Sequence, residues 1–296
     1  MKKHPVLFGI ILLGLVSLIF FLAVYGLGSF TKEWQAFSRG GKVGVVSIEG
    51  VISDAGEIVD QLDEYGTDDR IKAVIIRIDS PVGGVAPSQE IYDAVSDLKK
   101  KKKVIVSMGA YAASGGYLIA CAADRIVANP GTITGSISAV MHFATVEELL
   151  KKVGLKASVI KSGKYKDIGS PLREMKPDER ALLQGLVDDI YDQFLDIVCR
   201  DRKIEKEELR KIADGRVFTG RQALKLRLVD FLGDMKYAVR LAGKMSGIVG
   251  EPDVVYAEKQ RPSLWQLILR DMTSLFARQM QESTTRLIDV SYRWDR

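Results

Sequence analysis

Lys103-Val-Ile-Val-Ser-Met-Gly-Ala-Tyr-Ala-Ala-Ser-Gly-Gly-Tyr-Leu-Ile-Ala-Cys-Ala-Ala123 is the stretch whose reading decides the fold. Residues 103–108 are rich in β-branched side chains and read as a buried strand. Residues 117–123 are small and apolar and read as a buried helix, so Ser114 falls where a strand turns into a helix. Two readings of that serine stand side by side. It caps the helix through its hydroxyl, or it is a nucleophile held exposed at the helix's positive end. Gly115 and Gly116 put no side chains over the site, so a substrate backbone can approach closely.

The same alternation extends outward on both sides. Upstream, residues 43–48 and 71–78 read as strands. Residues 55–65 read as a helix, with Asp54 as its cap, and residues 88–101 as another, with Ile91, Tyr92, Val95 and Leu98 on one face. A strand at 125–128 follows the serine stretch. Strands separated by helices argue for βαβ units, a mostly parallel sheet and right-handed crossovers. Further on, the pattern predicts a helix at 145–153, a strand at 157–160 and a long helix at 178–202 opened by Pro177. Helical pieces at 205–213, 220–226 and 234–246 precede a last strand at 252–256. No internal repeat or low-complexity segment appears.

The 296 residues are 47% hydrophobic, enough for one or two domains with a sizeable core. The net charge of +5 owes much to the run Lys99-Lys-Lys-Lys-Lys103, which sits at a predicted helix C-terminus where cations suit the dipole. No aromatics interleave with those lysines, so the run reads as a solvated helix end rather than a nucleic-acid patch. Cys121 and Cys199 have no metal spacing. After a basic head, Val6 to Leu27 carries no charge and is long enough to cross a bilayer core. It reads as an uncleaved anchor, since the only small-x-small cleavage pattern, Gly26-Leu-Gly28, is a weak match. Lys2 and Lys3 favour a cytoplasmic N-terminus, while Lys32, Arg39 and Lys42 blur that bias. The tail from Pro262 carries Leu264, Leu267, Ile268, Met272, Leu275, Phe276 and Met280 at helical spacing, which suits a partner-packed helix or an interfacial membrane helix. The expected organisation is a head and transmembrane helix at 1–30, a linker at 31–41, an α/β domain at 42–258 and an amphipathic helical tail at 259–296.

Three loops lie at the carboxyl ends of predicted parallel strands, where open α/β sheets place their sites. Asp79-Ser-Pro-Val-Gly-Gly84 offers backbone N–H groups of the kind an oxyanion hole requires, or simply a tight turn. The second loop holds Ser114, and the third is Gly131-Thr-Ile-Thr-Gly-Ser136. A base for Ser114 is harder to find. His4 precedes the apolar span, and His142 has no aspartate in a local motif to orient it, so a Ser-His-Asp triad is poorly supported. A Ser-Lys pair is an established variant, and it needs the neutral amine. Lys161, Lys164 and Lys166 share one polar loop, and spacing alone selects none of them.

Four motifs in register carry a family resemblance: Asp79-Ser-Pro-Val-Gly-Gly, Ala113-Ser-Gly-Gly-Tyr-Leu-Ile-Ala, Thr134-Gly-Ser-Ile-Ser and Ser162-Gly-Lys-Tyr-Lys-Asp-Ile-Gly-Ser-Pro. Over about residues 42–250 the chain resembles the signal peptide peptidase A family in its short bacterial form. The resemblance implies a ClpP/crotonase-like α/β fold and a membrane-anchored serine protease with a Ser-Lys dyad. Carried over by position, Ser114 is the nucleophile, Lys166 the general base and Ser136 the hydroxyl that orients the lysine. Gly83, Gly84 and Gly115 form the oxyanion hole. The sequence departs from the usual pattern at Val82, where relatives have glycine, and at Ser138, where they often do. The resemblance also implies apolar signal-peptide remnants as substrates, a homo-oligomeric ring of eight chains, and no metal or cofactor. It implies a single-pass location in the bacterial inner membrane with the catalytic domain on the extracytoplasmic face.

Other functions remain compatible with the same residues. They are a Ser-Lys protease of other membrane proteins, a crotonase-like acyl-CoA enzyme and a non-catalytic scaffold ring.

Overall fold

A computed structural model describes residues 41–257, together with six helical positions between Gly14 and Phe21. The remainder of the expected anchor and the tail from 258 onward lie outside the described residues. Among the described residues, no helix is long and apolar enough to cross a membrane.

The architecture is mixed α/β around one eight-stranded sheet, parallel in all pairings but one. In chain order the elements begin with β1 (Lys42–Glu49), α1 (Gly56–Thr67), β2 (Ile71–Ser80), α2 (Val85–Lys101), β3 (Lys103–Ala113) and α3 (Gly115–Cys121). They continue with β4 (Arg125–Ala128), β5 (Ile133–Gly135), α4 (Glu147–Lys152), α5 (Pro177–Arg202) and α6 (Lys206–Arg210). The chain then forms β6 (Val217–Thr219), α7 (Gly220–Lys225), β7 (Phe231–Leu232), α8 (Met235–Ser246) and β8 (Asp253–Tyr256). The sheet order is β6-β5-β3-β2-β1-β8, with β4 pairing both β3 and β7.

The central strands are buried on both faces, which is why they read as continuous apolar runs rather than alternating ones. On one face Val74, Ile76 and Ile78 of β2 join Val104 and Val106 of β3 under α1, α2, α3 and the end of α5. On the other, Val43, Val45, Ile75, Ile105 and Val127 pack beneath Ala238 and Ala242 of α8. The N-cap of α1 is Ala55, not the expected Asp54, which stands one residue earlier and accepts from Gly56 N–H at 2.9 Å. Lys102 Nζ donates to Tyr65 O and Asp68 O at 2.5 and 2.6 Å, so one member of the lysine run closes the C-terminal end of α1.

Two strand expectations also need correction. The strand expected to end at Met108 continues to Ala113, because Tyr111–Ala113 form a second ladder with Ile133–Gly135. The strand expected at 157–160 does not form. Among the described residues they pair with no strand, and Ile160 is fully exposed. Its β-branched composition met no partner edge. Residues 139–176 instead form an exposed arm in which α4 buries no side chain.

Candidate active site

Ser114 is delivered by the end of β3 and the start of α3. Its amide donates to Gly135 O at 2.9 Å, which ties the serine to β5. The backbone there is unusual: φ is 54° and ψ is −120°, a left-handed conformation strained for a residue with a Cβ. The side chain makes no hydrogen bond to the helix N-terminus, so the plain cap reading fails. The arrangement is that of a sharp strand-to-helix elbow, with a half-buried hydroxyl that has no hydrogen-bond partner among the described residues.

The glycines of the first and second loops meet at this elbow. A Cβ placed on Gly115 would lie 3.0 Å from Gly83 Cα, so the two backbones are in contact and neither tolerates a side chain. Their N–H groups differ. Gly84 donates to Ile52 O at 2.8 Å, and Ile52 donates to Val82 O at 3.1 Å, which binds the loop to the chain after β1. Gly83 N–H has no acceptor among the described residues. Gly115 N–H, at the first position of α3, has no intrahelical partner by geometry. Gly83 and Gly115 therefore offer two free donors beside Ser114, whereas Gly84 is engaged. Val82, the departure from the family pattern, is partly exposed and lines the opening. The cavity against Ser114 holds about 170 Å³, and Leu118, Val140, Val187, Ile190 and Phe194 give it an apolar wall.

Ser136 stands one residue beyond the β3–β5 ladder, as Ser114 does, and it too has a positive φ of 52°. Its amide donates to Arg216 O at 2.9 Å. The pairing of Ala113 with Gly135 thus places the two serines at adjacent strand ends.

Lys166 sits elsewhere, in a run of turns on the exposed arm. Lys166 N–H donates to Gly163 O at 3.2 Å, Ile168 N–H to Tyr165 O at 3.1 Å and Ser170 N–H to Asp167 O at 3.1 Å. Lys166 is not among the residues lining the Ser114 cavity, and no hydrogen bond joins the two within the chain. The arm does distinguish the three lysines. Lys161 pairs with Asp167. Lys164 pairs with Asp178 at 2.5 Å, and that hydrogen bond holds its ammonium well above the ordinary lysine range. Lys166 alone of the three has no carboxylate partner among the described residues. An ammonium held charged by a carboxylate is a poor base, which counts against Lys164.

The turns are clamped by residues the sequence reading missed. Arg173 grips the buried Glu179 with both terminal nitrogens, at 2.6 and 2.8 Å, and donates from Nε to Asp167 Oδ2 at 2.9 Å. Glu179 also accepts from the backbone N–H of Lys176, the N-cap of α5, at 3.0 Å. The Arg173 hydrogen bond pulls the Glu179 carboxyl down to about 2, and Asp167 is held well below the usual carboxylate range by Arg173 and Lys161. Glutamate three residues after the N-cap Lys176 was the available signal for that backbone bond. His142 is exposed on the wall of a second cleft of about 600 Å³ beside Arg173, which shares Met141 and Val187 with the Ser114 cavity, and it does not line that cavity itself. Among the described residues, no group of three or more histidine, cysteine or acidic side chains could hold a metal ion.

Comparison with known proteins gives consistent results. The model of peptidase family S49 matches residues 96–248, and the Clp protease model matches residues 36–132. A protein of Synechocystis sp. named as a protease is 48% identical over 183 residues, covering 62% of this chain and 65% of that one. One from Methanocaldococcus jannaschii, also named as a protease, is 35% identical, covering 72% of this chain and 69% of its own. A protein of Enterococcus faecium named as a signal peptide peptidase SppA is 32% identical, covering 71% of this chain and 65% of the relative.

Proposed function

The chain belongs to peptidase family S49, and from that premise we propose that it is a membrane-anchored serine endopeptidase that uses Ser114 as nucleophile and Lys166 as general base. One observation carries the reading: a strained elbow holds an unpaired serine hydroxyl beside two free backbone N–H groups, against an apolar cavity.

The chemistry follows from those parts. Neutral Lys166 takes the proton from Ser114 Oγ, which attacks the peptide carbonyl. Gly83 and Gly115 N–H groups hold the oxyanion, with Gly84 keeping the loop in place. Protonated Lys166 passes its proton to the leaving amine, and water then releases the acyl-enzyme. Ser136 orients the amine. The apolar wall at Leu118, Val187 and Phe194 suits remnant signal peptides, whose cores are apolar.

Lys166 reaches a serine in this account only between chains. The exposed arm presents Val140, Phe143, Leu149, Val153 and Leu155 to solvent, apolar surface that a neighbouring protomer in a ring would cover. An octamer is the proposed ring. The proposed layout keeps the anchor at 1–30, the linker at 31–41, the protease domain at 42–258 and the tail at 259–296, with the catalytic domain outside the bacterial inner membrane.

The test compares two lysine variants on an apolar fluorogenic peptide. Lys166→Ala loses activity by about 10³-fold or more, in the range of catalytic-base removals, while Lys164→Ala retains most of it. The wild-type rate rises with pH as the amine loses its proton. Swapped phenotypes, or a flat pH profile, overturn the assignment.

A further inference from the structure

Ser88 lies in the first turn of α2 and is 1% exposed. Its hydroxyl is the one buried side-chain oxygen or nitrogen without a hydrogen-bond partner among the described residues. The place where this orphan sits is specific. A Cβ on Gly83 would lie 2.5 Å from Ser88 Oγ, and a Cβ on Gly115 would fall closer still to it, with Ser88 Cβ at 3.1 Å. The hydroxyl therefore occupies the gap left by two absent side chains, between the two backbones that carry the free N–H donors.

We propose that Ser88 is a positioning residue of the oxyanion hole, whose hydroxyl acts as a spacer setting the separation of the Gly83 and Gly115 backbones. This rests on the reading of Ser114 and these glycines given above. A buried hydroxyl with no partner is costly, so alanine at this position relieves the fold of an unpaired group. Alanine also leaves a gap one atom wide into which the loop collapses. A larger branched group would drive the two backbones apart. Only a small side chain of about serine's volume keeps both donors aimed at one point, and donor placement within a fraction of an ångström governs oxyanion stabilisation.

The role predicts an unusual pattern for a core position, in which stability and rate move in opposite directions. In full-length protein, Ser88→Ala melts at or above the wild-type temperature, yet kcat falls about tenfold or more with KM within about twofold, the mark of an interaction made in the transition state. Affinity for a peptide aldehyde, which forms an oxyanion on the enzyme, falls by the same factor as kcat. Affinity for the matching peptide alcohol, which forms none, is unchanged. Ser88→Cys refills the gap and recovers most of the loss. Wild-type kcat and aldehyde affinity in Ser88→Ala overturn the inference, as does equal loss of stability and of both inhibitors, which marks ordinary packing. Ser114→Ala in the same series separates the two levels. If it keeps hydrolysing peptide, the catalytic reading itself fails. If it is inactive while Ser88→Ala is normal, only the spacer role fails.

Discussion

Gly115→Ala is the substitution whose consequence the geometry states most sharply. The new methyl would sit 3.0 Å from Gly83 Cα and 3.1 Å from Ser88 Cβ, and nearer yet to Ser88 Oγ. Carbon atoms rest at about 3.5–4.0 Å, so the overlap with the Gly83 backbone is about 0.5–1 Å. Ser88 is buried at the start of α2, and its Cβ is held in place by the helix backbone. The strain falls on the Gly83 loop, which is held by two backbone bonds with Ile52 and by Ser80 Oγ donating to Val82 O. Moving that loop shifts one of two oxyanion donors, and losing one donor costs about 10²–10³ in kcat. Overpacking of this kind destabilises by about 1–3 kcal/mol, so the melting temperature falls by several degrees while the protein stays folded. Gly131→Ala is the control, because a Cβ there meets nothing within 4 Å. Steady-state hydrolysis and thermal melts of the three proteins decide the matter. Wild-type kcat in a folded Gly115→Ala protein would refute the idea that these two backbones form the oxyanion site.

Other consequences can be measured on the same protein. Mixing inactive Ser114→Ala and Lys166→Ala chains restores some activity, because a mixed ring contains junctions with both groups intact; mixed rings that form and stay dead exclude the shared site. The Glu179 carboxyl is drawn from 4.5 to about 2 by Arg173, so its contribution to stability is present above about pH 4.5 and is lost as pH falls through about 2. In acid melts Glu179→Gln therefore flattens part of the slope across that window, and an unchanged slope would mean that the clamp contributes nothing to folding. Protease shaving of spheroplasts removes the catalytic domain if residues 6–27 anchor it outside; protection until the membrane is broken reverses the topology.

The sheet was legible because its central strands are long apolar runs punctuated by amphipathic helices, and β1, β2 and the start of β3 need no tertiary information to be seen. The second half of β3 was not. Gly109 and Ala110 carry no strand signal, and the extension exists because Tyr111–Ala113 meet β5. β5, β6 and β7 have three residues or fewer, too short for any periodicity to register. Val159 and Ile160 gave a strand signal that no free edge answered. At the site, Ser114 was visible as a junction residue, but its failure to cap and its positive φ belong to the folded backbone. The lysines show the limit most clearly. Three of them within six positions look alike in sequence, and only the placement of Asp167 and Asp178 separates Lys166 from the other two. Ser88 left no trace in the sequence at all, since nothing local marks a serine as the neighbour of two distant glycines.

The central claim, that Ser114 is the reacting hydroxyl, is tested most directly by labelling the full-length protein with a fluorophosphonate probe and mapping the adduct by mass spectrometry. The account predicts a single adduct on Ser114, lost in Ser114→Ala and strongly slowed in Lys166→Ala. An adduct on another residue, or labelling that survives Ser114→Ala at the wild-type rate, would contradict it.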